Sequence, residues 1–200
     1  MRIRMILISV AATAVLAGCA SSPTTPGQTT RPSTDATDTG GAEINPVGDI
    51  PDTQVFIDYA PPGGGYTVQV PEGWSRTESS DGSISFTDKY NSVRIEQTSP
   101  ATAPTVASGQ QELAALSAAD AALTPGAATI VSRSAGPVLQ LTYQTDSTPN
   151  PVTGKTVRQD VERYEFWTGG RQLTVTLSAP VGADNVDPWR TITDSFRWTP

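Results

Sequence analysis

Strict alternation of apolar and polar side chains dominates this chain beyond residue 55 and commits that part to β-structure. Leu139, Leu141 and Tyr143 alternate with Gln140, Thr142 and Gln144, and Leu173, Val175 and Leu177 with Gln172, Thr174 and Thr176. Residues 55–59, 66–70, 84–86 and 93–97 keep the same period. A period of two sends alternate side chains to opposite faces of a sheet, the pattern of half-buried antiparallel strands. Asp81-Gly82 and Gly169-Gly170 supply hairpin turns, and Gly63-Gly64-Gly65 reads as a strand connection. Residues 155–167 are less regular, with Val157 and Val161 on one face and Tyr164 and Phe166 on the other. A bulge near Glu162 or Arg163 would restore one apolar face.

Two segments change to helical spacing. Residues 104–123 carry Val106, Leu113, Leu116 and Leu123 among many alanines. Ser108 and Gln111 fit a capping box, which leaves the start open between Thr105 and Ser108, and Pro125-Gly126 reads as the stop. In residues 187–196, Asp187 suits the N-cap and Pro188 the first helical position. Trp189, Ile192 and Phe196 then face the sheet. Strands, a helix, more strands and a second helix, without regular βαβ alternation, define an α+β class. The expected architecture is an antiparallel sheet of about six to seven strands flanked by two or more helices.

The N-terminus is of another kind. Arg2 and Arg4 precede a mostly apolar run that ends in Leu16-Ala17-Gly18-Cys19. The run is too short for a stable transmembrane helix and looks like a cleaved signal. It resembles the bacterial lipoprotein signal. That resemblance implies acylation of Cys19 and cleavage before it. Residues 19–50 are rich in Thr, Ser, Pro, Gly and Asp, a composition that does not offset the entropy of ordering. They are expected to be a disordered tether of roughly 30 Å mean reach. Their Thr and Pro content also suits a glycosylated stalk. The expected division is a signal over 1–18, lipidated Cys19 and tether over 19–50, and one domain over 51–200.

Composition narrows the function. The formal charge is −7, and losing Arg2 and Arg4 with the signal takes it to −9. An acidic chain poor in aromatics argues against nucleic acid. Cys19 is the only cysteine, so no disulfide forms within the chain. There is no histidine, which excludes a His-based triad and a zinc site built on His or Cys. Lys89 and Lys155 do not stand three residues after a serine, and no glycine-rich phosphate loop is present. Carboxylates remain. Asp160 and Glu162 share one strand face and would serve as an acid/base pair, with Glu165 as a third candidate. Arg158 and Arg163 beside them favour a solvated ion-pair face. Asp184, Asp187 and Asp194 lack the spacing of a calcium loop.

The aromatics divide. Trp74, Trp189 and Phe196 read as core. Trp167, at a hairpin end, and Tyr90, at a turn, are candidate partner contacts. Thr67, Gln69, Gln140, Thr142, Gln144, Gln172, Thr174 and Thr176 suggest one neutral Thr/Gln surface, read first as an ordinary solvated sheet face and alternatively as a binding surface for sugars or head groups. Leu113, Leu116, Trp189 and Ile192 read first as core; a lipid pocket between sheet and helix would draw on the same residues.

Several phrases in order carry a wider resemblance: Ile50-Pro51-Asp52-Thr53, Val70-Pro71-Glu72-Gly73-Trp74, Phe86-Thr87-Asp88-Lys89-Tyr90-Asn91-Ser92, and Gly182-Ala183-Asp184-Asn185-Val186-Asp187 followed by Ser195-Phe196-Arg197-Trp198. Together with the signal they resemble the actinobacterial LpqN/LpqT-type lipoproteins. The resemblance implies a PsbP-like fold and an accessory envelope protein that binds partners or lipids, with no catalytic residue to carry over. The expected function is a lipid-anchored, non-enzymatic binding module for envelope proteins, on the outer face of the cytoplasmic membrane and without cofactor. The alternative is a carrier of envelope lipid or glycolipid.

Overall fold

Among the described residues, alternation becomes ten strands in two sheets. The computed structural model describes residues 47–150 and 152–200. The signal, Cys19 and residues 19–46 of the tether lie outside the described residues. In chain order the elements are β1 (Phe56–Tyr59), β2 (Tyr66–Pro71), β3 (Ser75–Glu78), β4 (Ile84–Asp88), β5 (Asn91–Thr98), α1 (Val106–Ala119), β6 (Thr124–Arg133), β7 (Gly136–Asp146), β8 (Arg158–Thr168), β9 (Arg171–Pro180), α2 (Val186–Ser195) and β10 (Arg197–Trp198). The larger sheet has seven strands in the order β3-β4-β5-β9-β8-β7-β6, and the smaller has three, β1-β2-β10. Every pairing is antiparallel. The α+β class holds, with the strands divided between two sheets.

The large sheet has apolar clusters on both faces. Val175 and Leu177 of β9, Val93 and Ile95 of β5, and Tyr164 and Phe166 of β8 belong to the main core, which also takes in Val68 and Val70 of β2 and Ile192 and Phe196 of α2. Leu139 and Leu141 of β7 turn the other way and pack with Leu113 of α1. The register proves the division: Leu139 stands opposite Glu165, and Glu165 opposite Thr174. The apolar rows of β7 and β9 therefore lie on opposite faces.

This arrangement corrects two expectations. Strand β8 has no bulge near Glu162 or Arg163; it pairs without interruption to both neighbours. Its apolar residues change face because the covering layers lie on both sides of the sheet. The register shift falls in β6, between Pro125 and Ala128. The single Thr/Gln surface also dissolves. Gln140, Thr142 and Gln144 share the main-core face with Tyr164, while Gln172, Thr174 and Thr176 lie on the α1 face and Thr67 and Gln69 belong to the small sheet.

The helix ends differ from expectation too. In α1 the capping box joins Thr105 and Ser108, whose side chains each accept the other's backbone N–H. The helix stops at Ala119, because the Asp120 side chain accepts the Ala122 N–H at 2.9 Å and the Thr145 hydroxyl at 2.6 Å. Pro125-Gly126 is thus part of β6 rather than the helix stop. In α2 the N-cap is Asn185, not Asp187, which sits in the first turn. The Asn185 side chain does not cap the helix. It accepts the Ile50 N–H at 2.7 Å and donates to the Gly48 carbonyl at 2.9 Å. Ile50 is 4% exposed and part of the main core. The fold therefore includes residues 48–50, which the expected boundary at 51 left in the tether.

Candidate ligand-binding cleft

Where α2 starts beside the ends of β7, β8 and β9, the main-core face opens into a cleft of about 460 Å³. Its floor is two cross-strand pairs, Thr142 with Glu162 and Gln144 with Asp160. Its wall is apolar: Ala179 from β9, Ala183 from the following loop, and Val186 and Trp189 from α2. Thr124, Pro125 and Gly126 of β6 close the outer rim. Gly126 is required there, because a Cβ would come within 2.6 Å of the Thr142 carbonyl oxygen. The Ala127 N–H bonds the Thr142 hydroxyl at 3.0 Å and fixes the rim.

The carboxylates of the floor are already engaged. Gln144 Nε2 donates to Asp160 at 2.7 Å. The Tyr164 hydroxyl donates to Glu162 and accepts from Arg133 at 2.8 Å and Gln140 at 2.9 Å. Arg133 also donates to Thr193 of α2 at 2.9 Å, and its guanidinium lies 4.9 Å from the Tyr164 ring centroid. Burial, reinforced by the bond to Glu162, pushes the Tyr164 hydroxyl well above the usual tyrosine range, so it stays a donor. This network ties α2 to the floor. The spacing of Asp160 and Glu162 marked the floor in the sequence, whereas Arg133, 31 residues from Tyr164, gave no local signal.

The expected ion-pair face around Asp160 and Glu162 is not there. Arg163 points to the α1 side, where it meets Glu112 at 2.9 Å, Glu165 at 3.4 Å and Glu96 at 3.6 Å. Arg158 bonds the Ala122 carbonyl, Thr124 at 2.6 Å and Asp146 at 3.5 Å. Glu165 is likewise on the α1 face, 4% exposed, and burial together with Glu112 raises its pKa to about 7. Glu165 and the cleft carboxylates thus lie on opposite faces of the sheet. So do Leu113 and the pair Trp189 and Ile192: these three are core residues, as expected, and because they sit on two faces they do not line one pocket.

The other candidates are scattered. Trp74 packs against the main core. Tyr90 is half-buried at the β4–β5 turn, and its carbonyl accepts from Gln159 at 2.7 Å. Trp167 is half-buried at the far end of β8, with its indole N–H buried and unbonded. They occupy opposite ends of the sheet, about 20 Å apart at strand rise. Asp184 bonds Asp49 through its backbone N–H, and Asp194 accepts the Ser134 N–H. Among the described residues no three His, Cys, Asp or Glu side chains gather as a metal site.

A seven-stranded antiparallel sheet, with a small sheet and α2 on one face and α1 on the other, defines a PsbP-like α+β fold. The chain is similar to the solution structure of cyanobacterial PsbP (CyanoP) from Synechocystis, with a TM-score of 0.51 and 14% identity over 78% of this chain and 100% of that one. It is also similar to LpqN, involved in cell envelope biogenesis of Mycobacterium tuberculosis, with a TM-score of 0.42 and 13% identity over 74% of this chain and 93% of that one. A crystal structure from Bacteroides thetaiotaomicron matches with a TM-score of 0.44 and 13% identity over 72% of this chain; the match spans 48% of that longer protein. No family model and no curated protein matches the chain.

Proposed function

We propose that this chain is a lipid-anchored envelope lipoprotein of the LpqN type, whose domain acts as a non-enzymatic binding module for envelope proteins. The observation that carries this reading is the cleft floor. Both carboxylates already accept hydrogen bonds from neutral side chains, Gln144 and Tyr164, which suits holding a surface more than moving a proton. The signal ending in Cys19 supports the anchor and the position outside the cytoplasmic membrane. Glycolipid binding is the second reading. It is favoured by the cleft's volume, which falls in the range of small-molecule sites, and by its apolar wall facing a polar floor.

The test pairs wild type with Cys19→Ala in the native host. Labelling with a fatty-acid analogue should mark wild type alone. Crosslinking and pull-down from membranes should recover the same envelope proteins repeatedly with wild type. Equal labelling of both forms would overturn the anchor, and the absence of any recurring protein would overturn the binding module. Lipid recovered with wild type, and lost in Gln144→Ala, would move the assignment to the second reading.

A further inference from the structure

Helix α1 lies lightly on the sheet. Of its 14 residues only Gly109 and Leu113 are buried. The apolar cluster beneath it is Leu113, Leu139 and Leu141, with Ala128 and Tyr143 at the margin. Gly109 lies against Ala128 of β6 and against Leu139 and Leu141 of β7, so the helix covers that pair of strands. Its C-terminal end is fixed where Asp120 accepts from Ala122 and Thr145. Its capping box bonds only within the helix start. An element with so little buried apolar surface belongs to the low-stability end of a fold.

The remaining tie is a cluster with too few cations. Arg163 Nε lies 2.9 Å from Glu112 of α1 and 3.4 Å from Glu165 of β8, so two carboxylates share one nitrogen. Arg163 also meets Glu96 of β5 at 3.6 Å, and Arg94 meets Glu96 at 3.1 Å and Asp81 at 2.9 Å. Two guanidiniums thus face four carboxylates, which leaves excess negative charge when all are ionised. Tyr143 of β7 faces the same cluster, and burial holds its hydroxyl protonated. The arginines of β6 and β9 turn to the other face, Arg133 against Tyr164 and Arg171 against Trp198. Glu112 is the only charged residue in α1. Glu165 is 4% exposed and sits between two paired strands, so it reaches water only when the helix above it leaves. A proton on the Glu112–Glu165 pair turns its repulsion into a hydrogen bond. The raised pKa of Glu165, about 7, agrees with this.

We propose that α1 is a proton-controlled lid: with one proton on the Glu112–Glu165 pair it lies against β6 and β7, and loss of that proton lifts it about Asp120 and bares Leu139 and Leu141. Lifting takes Glu112 away and lets water reach Glu165, which then ionises as an exposed carboxylate does. The closed lid holds a proton that the open one releases, so rising pH favours opening. The window runs from about 4.5, the ordinary value, to about 7, and opening gains nothing further above it.

The test is amide hydrogen exchange of the full chain in detergent from about pH 5 to about pH 8, with rates corrected for the intrinsic pH dependence of exchange. Amides of residues 110–119 should be less protected than those of β9 throughout. Their protection should fall about five- to tenfold per pH unit up to about pH 7 and then level off. In Glu165→Gln, which lacks the titrating carboxyl, the protection of α1 should stay constant. Glu112→Gln is the second variant if that one does not fold, and it should shrink the fall. Equal protection of α1 and β9 would mean that the helix opens only with the whole domain, and would overturn the proposal. So would α1 protection that ignores pH in wild type, or a fall that persists unchanged in the variants. The lid depends neither on acylation of Cys19 nor on the cleft, which lies on the other face of the sheet.

Discussion

Glu165 shows what a single buried group does to the stability of the whole. Its neighbours on the α1 face are Glu112 from the helix, Arg163 on its own strand and Glu96 from β5. Burial comes first among the causes that raise its pKa from 4.5 to about 7, followed by Glu112; Arg163 opposes them. The folded protein therefore holds a proton that the unfolded chain releases at lower pH. Stability from this group is fully present below about 4.5 and is lost as pH rises through about 7. Melting temperature should accordingly fall across that window in wild type, and Glu165→Gln should flatten the fall. Parallel profiles for the two proteins would refute the assignment. The sequence offered Glu165 only as a candidate acid near Asp160 and Glu162. Strand parity already separates it from both of them, but not the helix that encloses it, because Glu112 lies 53 positions earlier in the chain.

At the scale of elements, alternation revealed where strands run but not which face each buries. β7 and β9 alternate equally well, yet their apolar rows point to opposite layers. Strand β8 gave the one hint, in the change of parity between Val161 and Tyr164. β3 was illegible because Ser75, Arg76, Thr77 and Glu78 are all exposed and leave no periodic trace. β6 was hidden by Pro125-Gly126, which reads as punctuation although it lies inside the strand. Two glycines test the packing of α1 and the cleft rim. Gly109→Ala should gain about 1 kcal/mol of helix propensity. Its Cβ, however, would stand 2.6 Å from Leu141 and 3.1 Å from Ala128. Overpacking of that kind costs about 1–3 kcal/mol, so a net loss of about 1 kcal/mol is expected in denaturant unfolding. Gly126→Ala should cost more, about 2 kcal/mol, because Thr142 backbone atoms cannot move aside as a leucine methyl can. A stabilised Gly109→Ala, or equal effects of the two, would contradict this packing.

For the molecule as a whole, the expected boundary at 51 missed a clasp. No local pattern marks Asn185 as the holder of residues 48–50, since the partners lie 135 and 137 positions apart. A chain starting at residue 47 should melt as the full protein does. One starting at 51 loses buried Ile50 and leaves Asn185, itself 2% exposed, without two of its partners. The loss should be of order 3 kcal/mol, from burial at about 2 kcal/mol and hydrogen bonds at about 1 kcal/mol. Calorimetry should show a drop of order 10 °C for a domain of this size; identical melting of the two truncations would disprove the clasp. Asn185 also lines the cleft, one turn before Trp189. Gly48, in the same clasp, lies against the Pro180 ring at the end of β9, so residues 48–50 meet the cleft wall and the large sheet together. A domain tugged from that end is therefore held at the cleft and at the sheet at once, and anything seated in the cleft beside Asn185 would change the force at which the clasp gives way.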